Sequence, residues 1–276
     1  MGLTINTNMS AIHSINSLEK NSRALSKTFE HLSTGLRISR AADDAAGLGV
    51  AENLKVAGSS ATVAGRNIND GISMIAVAEG ASSEVAGILG RMRELAVQGA
   101  SETLDNNERT YVQDEFAALS SEVDRIAGVT EFNGQFLTDA SIATVDVQAG
   151  IHDTANDTVT ITLGDLTTVT LGVDTGAIDM TSSTGCQDAL QVIDDAIDLV
   201  SGYRSDYGAV ENRLNSALDN IQTFAENTTA AESRIRDVDF ATETAELTKN
   251  QLLQQAGVSV LAQAKGINQG ALNLLQ

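Results

Sequence analysis

Apolar side chains recur every three or four residues through four long stretches of this chain, and no proline interrupts any of them. The first stretch runs Ile15, Leu18, Leu25, Phe29, Leu32 and Leu36. A second follows as Met74, Ala78, Ala81, Val85, Ile88, Met92, Leu95 and Gly99, and a third as Val112, Phe116, Leu119, Val123 and Ile126. The fourth, from Ile193 through Val200, Tyr207 and Leu214 to Phe224, lasts more than four heptads. A repeat of this kind predicts helices that seek partner helices along their whole length, and without proline nothing forces them to break. Apolar residues make up 42% of the chain but aromatic residues only 3%, with no Trp. A compact enzyme core usually carries more aromatic bulk, whereas small side chains suit closely apposed helices. The expected fold is therefore mainly α, an elongated antiparallel helical bundle or coiled coil.

One region departs from the helical period. Val159, Ile161 and Leu163, then Val169, Leu171 and Val173, alternate with polar residues around Gly164 and Asp165. This spacing predicts a small antiparallel β-hairpin insert with one solvated face. Phe132-Asn133-Gly134 marks the turn at which helix gives way to it. The matching apolar character of the two chain ends implies that the first and last segments pair with each other.

Charge is distributed unevenly. The formal net charge is −20, yet residues 1–40 carry five basic and two acidic side chains, and after Glu246 only Lys249 and Lys265 are charged. Between Arg125 and Arg204 there is no Lys or Arg at all. Asp139, Asp146, Asp153, Asp157, Asp165, Asp174 and Asp179 make that stretch acidic, which repels nucleic acid and anionic lipid. No apolar run approaches the roughly 20 residues of a membrane span, and the N-terminus lacks the basic and apolar regions of a signal peptide. Together these features predict no nucleic-acid partner and no membrane partner, and a cytosolic protein unless export follows another route.

Catalytic chemistry finds no foothold in the sequence. His13, His31 and His152 stand apart and in no metal-ligand spacing, so neither a metal nor a cofactor is expected. His152 with Asp153 and Asp157 reads as a solvated loop. Gly47-Leu48-Gly49 follows no strand and lacks the third glycine of a dinucleotide fingerprint, so it reads as a break between helices. Cys186 reads as a thiol in a Ser/Thr/Gly loop with no basic neighbour to activate it.

Several long motifs, in order, carry a resemblance. At the N-terminal side these are Ile5-Asn6-Thr7-Asn8, Leu32-Ser33-Thr34-Gly35-Leu36-Arg37-Ile38, Ala42-Asp43-Asp44-Ala45-Ala46-Gly47, Arg66-Asn67-Ile68-Asn69-Asp70-Gly71-Ile72-Ser73 and Arg91-Met92-Arg93-Glu94-Leu95-Ala96-Val97-Gln98. At the C-terminal side they are Gly208-Ala209-Val210-Glu211-Asn212-Arg213-Leu214, Ser233-Arg234-Ile235-Arg236-Asp237-Val238-Asp239-Phe240-Ala241 and Gln254-Gln255-Ala256-Gly257-Val258-Ser259-Val260-Leu261. The chain resembles the bacterial flagellins, in a short form with little or no outer domain.

The resemblance implies a structural, non-enzymatic subunit that polymerises with itself into the extracellular flagellar filament, the propeller of swimming cells. It implies three parts: an inner-tube domain of residues 1–43 with 230–276, a helical rod of 44–138 with 186–229, and a short variable insert of 139–185. The polymer core would draw on Ile15, Leu18, Leu25, Phe29, Leu32, Leu36, Leu252, Leu253, Val258, Leu261, Leu272 and Leu275, and glutamines such as Gln254 would keep its lumen polar. Implied partners are an export chaperone on residues 231–276, the filament cap and the hook-junction proteins. An animal innate immune receptor would read Arg91, Glu94, Leu95, Gln98 and Glu115, positions that would also serve subunit contacts. The alternative within the same resemblance is a hook-filament junction or other axial protein, which would join in a few copies.

Overall fold

A computed structural model describes the backbone of residues 7–273 and the side chains of residues 7–266. The chain is mainly α-helical, as the periodicity predicts, with two small antiparallel hairpins where the sequence predicts one. Helix α1 spans Met9–Thr34, α2 Ala45–Ala100 and α3 Asn106–Val129. Strands β1 (Glu131–Phe132) and β2 (Gln135–Phe136) follow, then β3 (Thr144–Gln148) and β4 (Thr158–Thr162). The single-turn helix α4 (Thr168–Leu171) leads to the long helices α5 (Ser183–Arg236) and α6 (Phe240–Asn273). The contacts divide into two units, residues 1–56 with 227–276 and residues 57–226. Helices α2 and α5 contribute residues to both.

Local chemistry sets the helix ends. The Asn8 side chain accepts from the Ala11 N–H and caps α1, which stops at Gly35 in the left-handed conformation. Asp105 and Glu108 form a reciprocal capping box at the start of α3. The buried Arg109 donates from Nε to Gly99 O at 2.9 Å and from a terminal nitrogen to Ser101 O at 2.9 Å, satisfying carbonyls at the C-terminal end of α2.

The second unit holds two apolar clusters. In one, Leu89, Met92 and Leu95 of α2 meet Phe116 and Val123 of α3 and Ile193 and Val200 of α5. In the other, Ile68, Ile75 and Ala78 of α2 and Tyr207 and Leu214 of α5 pack with Val147, Val159 and Ile161 of the β3–β4 hairpin. These are the predicted α2, α3 and α5 seams. The buried Tyr207 hydroxyl accepts from the Gly164 N–H at 2.8 Å, and burial raises its pKa. An 18-residue window of α2 reaches a mean hydropathy of 1.4, so by length and composition this helix could cross a membrane, contrary to the sequence expectation. Alanine and valine raise that value in a helix whose larger apolar side chains, Met74, Ile75, Leu89 and Met92 among them, are buried in the two clusters.

The predicted hairpin is corrected in its partner. Strand β4 contains Val159 and Ile161, as expected, but pairs with β3, Val145 facing Ile161 and Val147 facing Val159. The second predicted strand is instead α4. Asp124 accepts from the Thr168 N–H at 2.9 Å and from its hydroxyl at 3.0 Å, and Asp165 accepts from the Thr167 N–H, so side-chain acceptors supply the bonds that a strand would have made. Leu171 and Val173 are buried while Val169 is 79% exposed, which breaks the alternation of a strand, whose i, i+2 and i+4 side chains share a face, and fits a one-turn helix ended by Gly172.

Cys186 is likewise corrected. It lies in the first turn of α5, fully buried, and its thiol donates to Met180 O. Burial raises its pKa, opposed by the charge of Arg109, a basic neighbour distant in sequence.

Gly71 of α2 allows the β-hairpin to approach closely, because a methyl group there would sit 2.9 Å from Val147 Cγ2. In Gly71→Ala the overpacking cost of about 1–3 kcal/mol should outweigh the helix-propensity gain of up to ~1 kcal/mol. The denaturant midpoint should fall, measured by circular dichroism, while the helix content of the native state stays unchanged.

Candidate assembly surface

In the first unit α1 and α6 run antiparallel. The face of α1 turned to its partner carries Ala11, Ser14, Leu18, Asn21, Leu25 and Thr28, and the facing positions of α6 are Glu243, Leu247, Asn250, Gln254, Gly257, Leu261 and Ala264. Both follow the 3/4 alternation of a coiled-coil seam. Half of this seam is polar. Asn21 Nδ2 donates to Asn250 O at 2.8 Å and to Gln254 Oε1 at 3.2 Å, Asn8 Nδ2 donates to Ala264 O, and the buried His31 pairs through Nδ1 with Glu243 at 3.1 Å. Gly257 receives Leu18, whose Cγ would lie 3.2 Å from any Cβ added there.

Apolar side chains crowd the surface that the seam leaves outside. Met9, Ile12 and Ile15 are exposed on α1, and Phe29 is 63% exposed. On α6, Leu252 is 60% exposed, and Leu253, Val258 and Val260 are exposed beside it. By helical rotation Leu252 lies opposite the seam, with Leu253 and Val260 on one flank and Val258 on the other. Large exposed apolar side chains repeated along a helix mark an interaction surface. The sequence stripe on α1 is therefore divided: Leu18, Leu25 and Leu32 are partly covered, while Ile15 and Phe29 point outward. Leu275 and the Leu272 side chain lie outside the described residues.

A short clamp closes this unit where the two helices turn. Leu36 and Asp237 form an antiparallel bridge, with Arg37 N–H donating to Arg236 O and Val238 N–H to Gly35 O. The segment between α1 and α2 is held to α1 by charge: Lys27 meets Asp43 at 2.8 Å and Arg40 meets Glu30 at 2.7 Å. Asp43 also accepts from the N–H groups of Ser39 and Arg40. The Lys27 hydrogen bond, aided by those N–H groups and opposed by desolvation, lowers its pKa to about 2.

On the second unit, Arg91 bridges Glu94 at 2.8 Å and Glu115 at 2.8 Å, tying α2 to α3 at the surface. Gln98 is exposed on the same helix. Leu95 is 1% exposed, so it supports this surface from within the core and does not reach it. Among the described residues, no three His, Cys, Asp or Glu side chains gather in a way that could hold a metal ion.

Two family models cover most of the chain: the bacterial flagellin N-terminal helical region matches residues 5–143, and the bacterial flagellin C-terminal helical region matches residues 190–275. The chain belongs to the flagellin family. It is 41% identical to a flagellin of Halalkalibacterium halodurans over 274 residues, covering 99% of this chain and all of that one. It is 37% identical to the flagellar filament 33 kDa core protein of Treponema phagedenis, over 99% of this chain and all of the relative. Residues 144–189 lie between the two matched regions. Among solved structures, the Bacillus cereus flagellin is similar with a TM-score of 0.50 and 30% identity, over 60% of this chain and 94% of that one.

Sequence periodicity located the terminal helices of this flagellin but not the polar half of their seam. Asn21, Asn250 and Gln254 carry no apolar signal, and only their seven-residue spacing from Ser14, Gly257 and Leu247 could have marked them.

A carboxylate whose folded pKa is lowered contributes stability above its unfolded pKa of about 3.8 and loses that contribution as pH falls through the folded value of about 2. Carboxyl-carbon NMR on the folded full-length chain should place the Asp43 midpoint near the lower value. Lys27→Ala should move it up toward the ordinary aspartate range, and an unmoved midpoint would refute the Lys27–Asp43 attachment.

Proposed function

We propose that the outward apolar faces of α1 and α6 are the surfaces through which this flagellin polymerises. The protein is a structural subunit of the bacterial flagellar filament and acts outside the cell. The observation that carries the finer reading is the make-up of the terminal pair, which buries Thr28, His31 and Asn250 in its seam while Phe29, Leu252 and Val258 face outward. Covering one such side chain completely stabilises by about 1.5–3 kcal/mol. Repeated over many residues, this supplies the free energy to order both termini against their conformational entropy. Neighbouring copies are the natural cover, because a heterologous contact that does not close generates an open helical polymer.

In this reading residues 1–43 with 230–276 line the inner tube, 44–138 with 186–229 form the layer around it, and 139–185 make a short outer insert. The polymer-core residues are Ile15, Leu18, Leu25, Phe29, Leu32, Leu36, Leu252, Leu253, Val258, Leu261, Leu272 and Leu275. The protein is not an enzyme: stiffness and helical shape are its work. Export proceeds without a cleaved signal peptide, with a chaperone covering the apolar C-terminal helix beforehand, and the subunit joins the filament between the hook-junction proteins and the cap. The Arg91–Glu94–Glu115 surface with Gln98 serves subunit contacts and, in free subunits, would be open to an innate immune receptor of animals, with Leu95 beneath it.

Placing a carboxylate in the outward face tests this reading. Phe29→Asp or Val258→Asp should lower seeded polymer growth by more than about tenfold, since each removes roughly 2 kcal/mol of burial per contact. Electron microscopy reads the growth, and thermal melting of the second unit should stay unchanged. Growth at the unmodified rate by the doubly substituted chain would refute the assignment, and stubs that stop growing from unmodified protein would favour a junction protein.

A further inference from the structure

We propose that Asn133 is a site of spontaneous deamidation through a succinimide, a chemical modification that marks the age of the protein. Asn133-Gly134 is the single Asn-Gly pair in the chain. Both residues are exposed at the tip of the β1–β2 hairpin, with φ of 50° at Asn133 and 78° at Gly134. These left-handed values are those of the two-residue turn that favours Asn-Gly. The feature that suits the pair to the turn also suits it to the reaction. Glycine has no side chain to shield its backbone nitrogen, and the asparagine amide lies one residue before it.

In the reaction the Gly134 backbone nitrogen, on losing its proton to base, attacks Asn133 Cγ. A C–N bond forms and ammonia leaves, giving a five-membered succinimide. Water then opens the ring at either carbonyl. One opening yields aspartate and the other isoaspartate, in which the main chain runs through the side-chain carboxyl. The net change is asparagine plus water to an acid plus ammonia, with no oxidant, metal or enzyme.

The fold makes the step accessible here. The turn must open to bring Gly134 N to Cγ, and the ladder that holds it has only two residue pairs, Glu131 with Phe136 and Phe132 with Gln135. Three of those four residues are exposed. Among the described residues, Asn16, Asn21, Asn69, Asn107 and Asn215, each followed by Ser, Asp or Glu, lie inside helices, where the hydrogen-bonded backbone resists the rotation. Asn156, in the β3–β4 loop, is the exposed comparison, and its successor Asp157 has a side chain and a carboxylate that disfavour an anionic nitrogen.

The structural consequence is local. Isoaspartate adds a backbone atom to a two-residue turn and a negative charge beside Glu131, so the Glu131–Phe136 register fails. Just beyond it, Leu137 N–H donates to Thr130 O at 3.0 Å and the buried Thr138 hydroxyl donates to Ala127 O at 3.1 Å, which limits the damage to the hairpin tip. A protein that works outside the cell has no cytosolic repair enzyme to reverse the change, so modified copies accumulate with time.

The full-length chain, incubated at about pH 9 and at neutral pH, would be followed by peptide mapping and by isoaspartyl methyltransferase labelling. Asn133 should convert at least about tenfold faster than Asn156, a barrier lower by ~1.4 kcal/mol. Conversion should accelerate with pH, and isoaspartate should be among the products. Asn133→Gln should lose the methyltransferase signal from the hairpin, and Asn133→Asp should retain the hairpin without any isoaspartate at the start of incubation. Conversion no faster than at Asn156, or a product that is wholly aspartate, would overturn the proposal.

Discussion

The terminal helices cover Thr28, His31 and Asn250 against each other together with Leu18, Leu25 and Leu261, while Phe29, Leu252 and Val258 stay exposed, and the proposed assembly depends on that division. The Asn21 amide between Asn250 and Gln254 and the His31–Glu243 pair satisfy one another across the α1–α6 seam. Polar seam residues of this type fix alignment at a cost in stability. The two helices are thus matched to each other without being made self-sufficient. Apolar side chains such as Phe29, Leu252 and Val258 stay exposed on this unit.

The second unit obeys the ordinary rule. Its clusters bury Phe116, Met92, Tyr207 and Ile161 completely, and apart from the buried Arg109 its charged side chains lie at or near the surface, where pairs such as Arg91 with Glu115 contribute little to stability. Its core is self-contained where the terminal pair is not. The chain therefore combines a part that folds on its own apolar content with a part whose apolar content exceeds what it can cover.

The flagellin resemblance and the helical fold were legible from sequence because both rest on local, repeated signals. Seams at Met74 to Leu95, Val112 to Val123 and Ile193 to Leu214 were read from spacing alone, and the structure buries them. Spacing failed where one pattern serves two structures. Val169, Leu171 and Val173 alternate like a strand, but Asp124, 44 residues before Thr168, turns the segment into a helical turn. A remote residue likewise changes the reading of Cys186, whose neighbour Arg109 and burial beneath α2 have no local signature. The candidate surface was half legible: Phe29 and Val258 were named, but Leu95 proved to be a core residue.

By itself the sequence determined that most of the chain forms long helices and that the termini match, because backbone hydrogen bonding and a 3.6-residue period act within each segment, although the break it placed at Gly47-Leu48-Gly49 lies inside α2. Only the tertiary structure decided which side of α1 meets α6, which strand accompanies β4, and which apolar residues remain uncovered. Those choices depend on side chains far apart in sequence meeting in space, Asn21 with Gln254 or Val147 with Gly71, and one-dimensional periodicity carries no information about such meetings.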